Sequence, residues 1–457
     1  MLVPILASLL LAAGAPPTEN LMTLNAPQHV WDVAAEDFDG NGFSDLILLC
    51  CDERSDPLKK LIAVYMADAQ GRYAAEATFT CPLDAQVGVL WQAEVDGAAP
   101  RELVAASAMG AQVYQFSNGA LKKGVEIEFS SLFPTRAKEP AFLKDVVADL
   151  DGDGRDEWLV PVPMGCEVWD GKNRKARIEC DVVSELRRGD SVSITNRLPA
   201  VQVFDLQGNP GKALAFLSDE FADFATGANW AERKRIRIPV NVEEKWDASA
   251  KMADINADGL PDLMVTQTKG TVNLSSMTQI YIAPAAMTYA EKPTASFTSE
   301  GSIASPSLVD VDGDGKKDMA VVRIPFGVKN IVNYFMRRKV SVTAQVYLYG
   351  EKGFGAKPSF ETDLTLDAPE GREEVAYTME DFNGDKRPDL CLSETRDELV
   401  FLAGVEKGFL SAKPFARFPI PSFGRAKGLS LNANEAKDCV LIRTSGENQS
   451  RVDVMLF

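Results

Sequence analysis

The chain has 457 residues, 46% of them hydrophobic and 25% charged, the make-up of a globular protein long enough for two or three ordinary domains or one large repeat fold. Its 48 basic and 66 acidic residues leave a formal charge of −18, which argues against nucleic acid and anionic membrane surfaces as partners. Seven cysteines are too few to staple a chain of this size, so a disulfide scaffold is excluded as well.

Residues 1–18 carry no charged side chain, and Ile5 to Ala13 is an apolar core. Ala12-Ala13-Gly14 ahead of Ala15 fits a small-residue cleavage site, with Ala13-Gly14-Ala15 as the alternative. Residues 1–14 are therefore expected to be a signal peptide, too short to span a membrane, although no Lys or Arg precedes the apolar core. The expected location is secreted, periplasmic or cell-surface. No cysteine follows the cleavage site to carry a lipid, and no later apolar run reaches membrane-spanning length, so no membrane insertion is expected after cleavage. Residues 20–457 are expected to form a single domain.

The rest of the chain is organised around a nine-residue acidic loop, clearest in Asp310-Val311-Asp312-Gly313-Asp314-Gly315-Lys316-Lys317-Asp318. Carboxylates at positions 1, 3, 5 and 9 around a glycine turn make an oxygen cage. Hard Ca²⁺ takes six to eight oxygens, and EF-hand loops begin with the same 1, 3, 5 spacing. A glutamate at position 12 is missing and a strand pattern, Met319-Ala320-Val321-Val322, follows at once, so this is not an EF-hand. Strong copies start at Asp37, Asp149, Asp254, Asp310 and Asp381, and eroded copies lie between them at Glu94 and Asp205 and after them at Ser430. The eight starts are 57, 55, 56, 49, 56, 71 and 49 residues apart. A fixed period of this length is the mark of a repeat architecture.

Each unit reads alike: a short strand of small residues, the loop, an apolar strand, then two alternating strands with a Gly turn. Four strands per unit imply antiparallel meanders. Such sheets bury both faces when packed radially around an axis, as in a β-propeller. The expected fold is all-β, an eight-bladed β-propeller of four-stranded blades, with seven blades as the alternative. The last unit stops after three strands at Val452–Phe457, and Leu21-Met22-Thr23-Leu24-Asn25-Ala26-Pro27 is expected to supply its outer strand and close the ring.

The loop and its period resemble the VCBS/FG-GAP repeat family, the repeats of the integrin α-subunit propeller and of many secreted bacterial proteins. The resemblance spans nearly all of the chain after the signal segment. In that family the loop joins the first two strands of a blade and binds calcium through side chains at positions 1, 3, 5 and 9. Carried over, it implies about five Ca²⁺ sites: Asp37, Asp39, Asn41, Asp45; Asp149, Asp151, Asp153, Glu157; Asp254, Asn256, Asp258, Asp262; Asp310, Asp312, Asp314, Asp318; and Asp381, Asn383, Asp385, Asp389. Lys386 stands where position 6 is usually Gly, which puts backbone strain into that loop. Ala98, Ala213 and the uncharged Ser430-Asn432-Asn434 set remove ligands, so those three loops are expected to be metal-free.

Catalytic chemistry is sparse. His29 is the one histidine, expected to be a satisfied surface residue, and no zinc spacing, Walker loop or dinucleotide fingerprint occurs. No catalytic residue is assigned. Cys166 and Cys180 flank a turn at Asp170–Asn173, where they form either a cross-strand disulfide or two free thiols. Arg188-Gly189-Asp190 matches an adhesion tripeptide, too short to carry weight. Trp31 and Trp246 open first strands on the face opposite the loops, either stacking on a ligand or packing between blades. An insertion at 326–339 sets Val328, Ile331, Val332, Phe335 and Met336 at helical spacing on that upper face, either a lid or a partner site. The function expected is a calcium-binding interaction module for a protein or carbohydrate ligand. The alternatives are a calcium-dependent polysaccharide lyase-like enzyme and a structural scaffold.

Overall fold

A computed structural model of the chain describes residues 20–188, 192–238, 246–270, 274–325, 334–406 and 408–457. The segment expected to be a signal peptide, Gly189 and Asp190 of the adhesion tripeptide, and residues 326–333 of the insertion lie outside them. Eight antiparallel four-stranded sheets stand in a ring, an eight-bladed β-propeller. Blade one is Val30–Glu36, Asp45–Asp52, Lys59–Tyr65 and Phe79–Leu83, and blade two Val89–Ala93, Glu102–Ser107, Gly110–Ser117 and Ala120–Glu128. Blade three is Val147–Ala148, Glu157–Val162, Gly165–Asp170 and Asn173–Glu179, and blade four Ala200–Phe204, Ala213–Leu217, Phe221–Thr226 and Glu232–Arg237. Blade five is Asp247–Ala253, Asp262–Lys269, Ser275–Tyr281 and Ala295–Glu300, and blade six Ser302–Val309, Asp318–Pro325, Lys339–Tyr347 and Phe360–Asp367. Blade seven is Tyr377–Glu380, Asp389–Thr395, Glu398–Leu402 and Ala416–Phe418. No helix among the described residues is long and apolar enough to cross a membrane.

The second strands are buried on both faces because each blade is sandwiched between two others, which is why they read as unbroken apolar runs rather than alternating ones. Their side chains fill the wedges between blades. Ile47, Leu49, Leu90, Leu103 and Tyr114 join blades one and two, and Trp91 meets Trp158 edge-on between two and three, ring centres 5.5 Å apart.

Blade eight is built from both ends of the chain: Arg425–Leu429, Asp438–Ile442, Arg451–Met455 and then Leu21–Asn25, which pairs antiparallel with the last strand, Leu21 opposite Met455 and Asn25 opposite Arg451. A buried charge cluster fastens the seam. Asp453 accepts a hydrogen bond from the Thr23 hydroxyl at 2.7 Å and pairs with the buried guanidinium of Arg443 at 2.5 Å and with Arg451 at 2.8 Å. Three consecutive blades are also tied along the inner strands. Phe142, in the two-residue strand Ala141–Phe142 that runs parallel to the inner strand of blade two, donates its N–H to buried Asp32 of blade one, which pairs with Lys427 of blade eight.

Cys166 and Cys180 are free, buried thiols. The turn centres one and a half residues before the midpoint of the pair, and a bulge between Val168 and Trp169 shifts the register, so Cys166 faces Ile178 and Cys180 lies diagonally beyond it.

Two outcomes are expected at the seam. Removing residues 20–27 exposes the edge of the last strand and should cause aggregation or a large drop in melting temperature. Asp453→Ala leaves Arg443 buried without a counter-charge and should cost about 3–5 kcal/mol in denaturant melts, the usual effect of halving a buried pair. Melts unchanged by either alteration would remove the seam from the fold's stability.

Candidate functional site

All eight loops join the first and second strands of their blades, and the feature shared by seven of them lies at position 9. Its carboxylate is buried at the start of the second strand and accepts the N–H of loop position 2. This bond runs from Phe38 to Asp45, Val95 to Glu102, Leu150 to Glu157, Ile255 to Asp262, Val311 to Asp318, Phe382 to Asp389 and Leu431 to Asp438, at 2.8–3.0 Å. Blade four, with Ala213 at position 9, lacks it. In the five blades that end the loop with Asp, the second oxygen accepts an N–H two residues beyond the third strand: Ala67, Ala283, Tyr349, Gly404 and Phe457. One carboxylate thus clamps three segments of a blade. The clamp persists in the loop at Ser430, whose positions 1, 3 and 5 carry no acid. This role was missed in the sequence, although the survival of Glu102 and Asp438 in eroded loops was a signal for it.

Burial pushes the carboxyls of Asp45, Asp262, Asp389 and Asp438 up to about 6, against the pull of their backbone hydrogen bonds. Burial raises Asp318 in the same direction.

The loops also bind one another. The position 8 N–H donates to the loop of the preceding blade: Ser44 to Leu431, Asp156 to Glu94, Lys212 to Leu150, Lys317 to Ile255 and Lys437 to Asp381, at 2.7–3.0 Å. Arg101 donates instead to the Glu36 carboxylate at 3.3 Å. The two remaining steps, from blade four to five and from six to seven, have Pro261 and Pro388 at position 8, which carry no N–H.

The donors at these loops are oxygen only. In the loops at Asp37, Asp149 and Asp310 the carboxylates of positions 1, 3 and 9 come within 4.8 Å of one another, and Glu94, Asp96 and Glu102 of an eroded loop do the same. Asp37 and Asp310 each accept the N–H groups of positions 4 and 6, which curls the loop around them. Positions 4 and 6 take left-handed backbone, glycine's ground, as at Gly313 and Gly315 with φ of 79° and 86°. Ala257 and Lys386 hold the same conformation at φ 61° and 68° without being glycine. Their loops, at Asp254 and Asp381, do not bring three carboxylates together; Asn256 donates to Asp258 at 2.8 Å and Asn383 to Asp389 at 3.2 Å. Position 5 pairs with a cation two residues on in two loops, Asp153 with Arg155 at 3.1 Å and Asp314 with Lys316 at 3.0 Å.

The other feature is a cleft of about 750 Å³ between blades six and seven, walled by Val342, Leu364, Leu366, Leu390 and Leu392, with Ile324, Tyr334, Phe335 and Tyr377 also lining it. Val322 and Ile324 are 37% and 39% exposed, whereas Leu49, Ala106, Leu217 and Ile442, the counterparts of Val322 in four other blades, are buried. Phe335, Met336 and Tyr377 are 70%, 80% and 64% exposed. The acids here are already paired: Asp367 with Lys339, Glu370 and Glu373 with Arg396, Glu374 with Arg425. Arg337 and Arg338, which follow the lining residue Phe335 in the chain, and Arg372, two residues before the lining residue Glu374, have no carboxylate partner among the described residues.

Trp31 is half-buried against His29, ring centres 4.2 Å apart, and Trp246 packs under the Lys269 ammonium at 4.5 Å, so both tryptophans have partners within the ring. His29 is not a surface residue. Its side chain is largely buried and its Nδ1 lies 3.3 Å from Glu53.

Residues 244–321 match the family model described as FG-GAP-like repeat. Solved structures similar to the chain include two crystal structures of one complex. One is a crystal structure of BBS1N in complex with ARL6DN soaked with lead, at 11% identity over 95% of this chain and 96% of that one, TM-score 0.38. The other is the same complex soaked with mercury, at 12% identity over 82% and 95%, TM-score 0.36. Among curated proteins, none matches.

Two outcomes test the loop geometry. Lys386→Gly and Ala257→Gly should each raise stability by about 1 kcal/mol, the left-handed cost of a Cβ, in denaturant melts. The raised carboxyls set a pH trend: a folded pKa of about 6 against about 3.9 unfolded means the folded state holds protons that the unfolded state has lost. Their contribution is present below about pH 4 and lost as pH rises through about 6. Measured in chelator, wild-type stability should fall across that window more steeply than that of Asp438→Asn.

Proposed function

As an FG-GAP/VCBS-type β-propeller, this chain is, we propose, an interaction module whose ring is braced by calcium and whose docking site is the cleft between blades six and seven. The observation that carries the reading is the uncovered apolar wedge in a ring whose other second-strand apolar positions are mostly buried. Contiguous exposed apolar surface of this kind marks a place where something binds. Its walls favour a protein segment over a carbohydrate, since they offer carbon and few hydrogen-bonding groups. The occupant is a peptide segment with apolar side chains flanked by carboxylates. Apolar groups fill the wedge, and the acids meet Arg337, Arg338 and Arg372.

Calcium would be held by Asp37, Asp39, Asn41 and Asp45 and by Asp310, Asp312, Asp314 and Asp318, with the loops at Asp254 and Asp381 offering the same donor types more weakly. When bound, the ion supplies positive charge to carboxylates that otherwise repel. Each such site at a hundred times its Kd adds about 2.7 kcal/mol to the folded state.

A peptide array of apolar heptamers with acidic or basic flanks provides the test. The acidic set should bind, lose affinity as salt rises, and fail on Arg337→Glu/Arg338→Glu and on Ile324→Glu variants that melt like the wild type. Binding indifferent to these variants, or confined to a glycan array, would overturn the cleft assignment. Separately, chelation should lower the melting temperature, and Asp312→Ala should cost more than Asp385→Ala because the second loop already carries Lys386. Superimposable melts in chelator and in millimolar calcium would end the calcium reading.

A further inference from the structure

The loops of blades two and three differ from the other loops with a position 9 carboxylate in a linked pair of features. Position 9 is Glu rather than Asp, and no backbone N–H returns over its second oxygen, because the third strand turns directly into the fourth at Asn118-Gly119 and Gly171-Lys172. A side chain from the second hairpin takes that place. In blade three the Lys175 ammonium lies 2.6 Å from Glu157 Oε1, 2.7 Å from Asp151 Oδ2 and 3.3 Å from Asp170 Oδ2. In blade two the Gln115 carboxamide nitrogen lies 3.2 Å from both Glu102 Oε1 and Asp96 Oδ2. Both donors bridge positions 3 and 9, the two acids between which a cation would sit. Lys175 reaches them because it is the extra residue of the bulge opposite Val168 and Trp169. The loops at Asp37 and Asp310 have no ammonium on positions 3 and 9 among the described residues.

We infer that Lys175 is the built-in counter-cation of the loop at Asp149, so that this loop is held by the chain's own ammonium and takes no calcium, although its acidic spacing is complete. Gln115 is the neutral version of the same device at Glu94. The rule that follows is local: Glu at position 9 marks a loop stapled by a side chain, whereas Asp at position 9, where positions 1 and 3 also keep their acids, leaves the loop open to a metal. The inference rests on the calcium reading only where it says which loops are spared.

Calcium stoichiometry by equilibrium dialysis and melting temperature in chelator, on the full chain, decide it. Asp312→Asn should lose one bound calcium and Asp151→Asn none. Lys175→Met should melt several degrees below wild type in chelator, gain one calcium, and recover when calcium is added; Lys175→Arg should stay near wild type on both measures. In chelator, Asp151→Asn combined with Lys175→Met should cost less than the sum of the two, as expected of residues that touch. Loss of a calcium in Asp151→Asn, or Lys175→Met melting as wild type in chelator, would overturn the inference. If wild type and Lys175→Met bind no calcium, the calcium reading falls, and the chelator melts and their non-additivity alone judge the staple.

Discussion

A carboxylate removed from water at the head of seven of the eight second strands is the constraint on which the ring depends. Burying a charge is costly unless hydrogen bonds satisfy it, and here two backbone N–H groups from separate segments converge on one aspartate. The loop is thereby pinned to its own strand and to the turn that follows the third strand. Only then do the position 8 N–H groups stand where the neighbouring blade can accept them. Metal, where it binds, acts on a loop that already has its shape.

The fold was legible because its physics repeats. Apolar second strands, small-residue first strands and loops at a near-constant period announce a radial arrangement, and a last unit one strand short pointed to Leu21–Pro27 as the strand that closes it. What stayed hidden depended on single residues in three dimensions. The spacing of Asp149, Asp151, Asp153 and Glu157 reads as a metal loop, yet Lys175 is eighteen residues past Glu157 and reaches it only through a bulge. The same bulge spoiled the symmetric reading of Cys166 and Cys180. The cleft was half legible: the insertion pointed to the upper face, but nothing in Val322 or Ile324 as letters says that the wedge behind them is open.

Pro261 and Pro388 show how a small covalent difference reshapes a symmetric object. Six of the eight steps around the loop face are joined by a hydrogen bond from position 8, and the two that are not have the one residue that cannot donate. One of those two steps is the junction of blades six and seven, where the apolar wedge also gapes. A ring whose joints are unequal concentrates its freedom of movement at the weak ones, and a binding surface placed there has walls able to adjust.

The seam joins residue 21 to residue 455, and this has a consequence for how the ring comes into being. Chains are made from the amino terminus, so the strand that finishes the circle is synthesised first and used last. Seven blades can assemble in order while Leu21–Asn25 waits with unsatisfied backbone groups, and the eighth remains an open edge until its third strand emerges. Contacts of such separation are slow to form because the intervening chain must first be ordered. During that interval a neighbouring copy offers the same strand to the same edge, so crowded nascent chains face a choice between closing on themselves and exchanging ends.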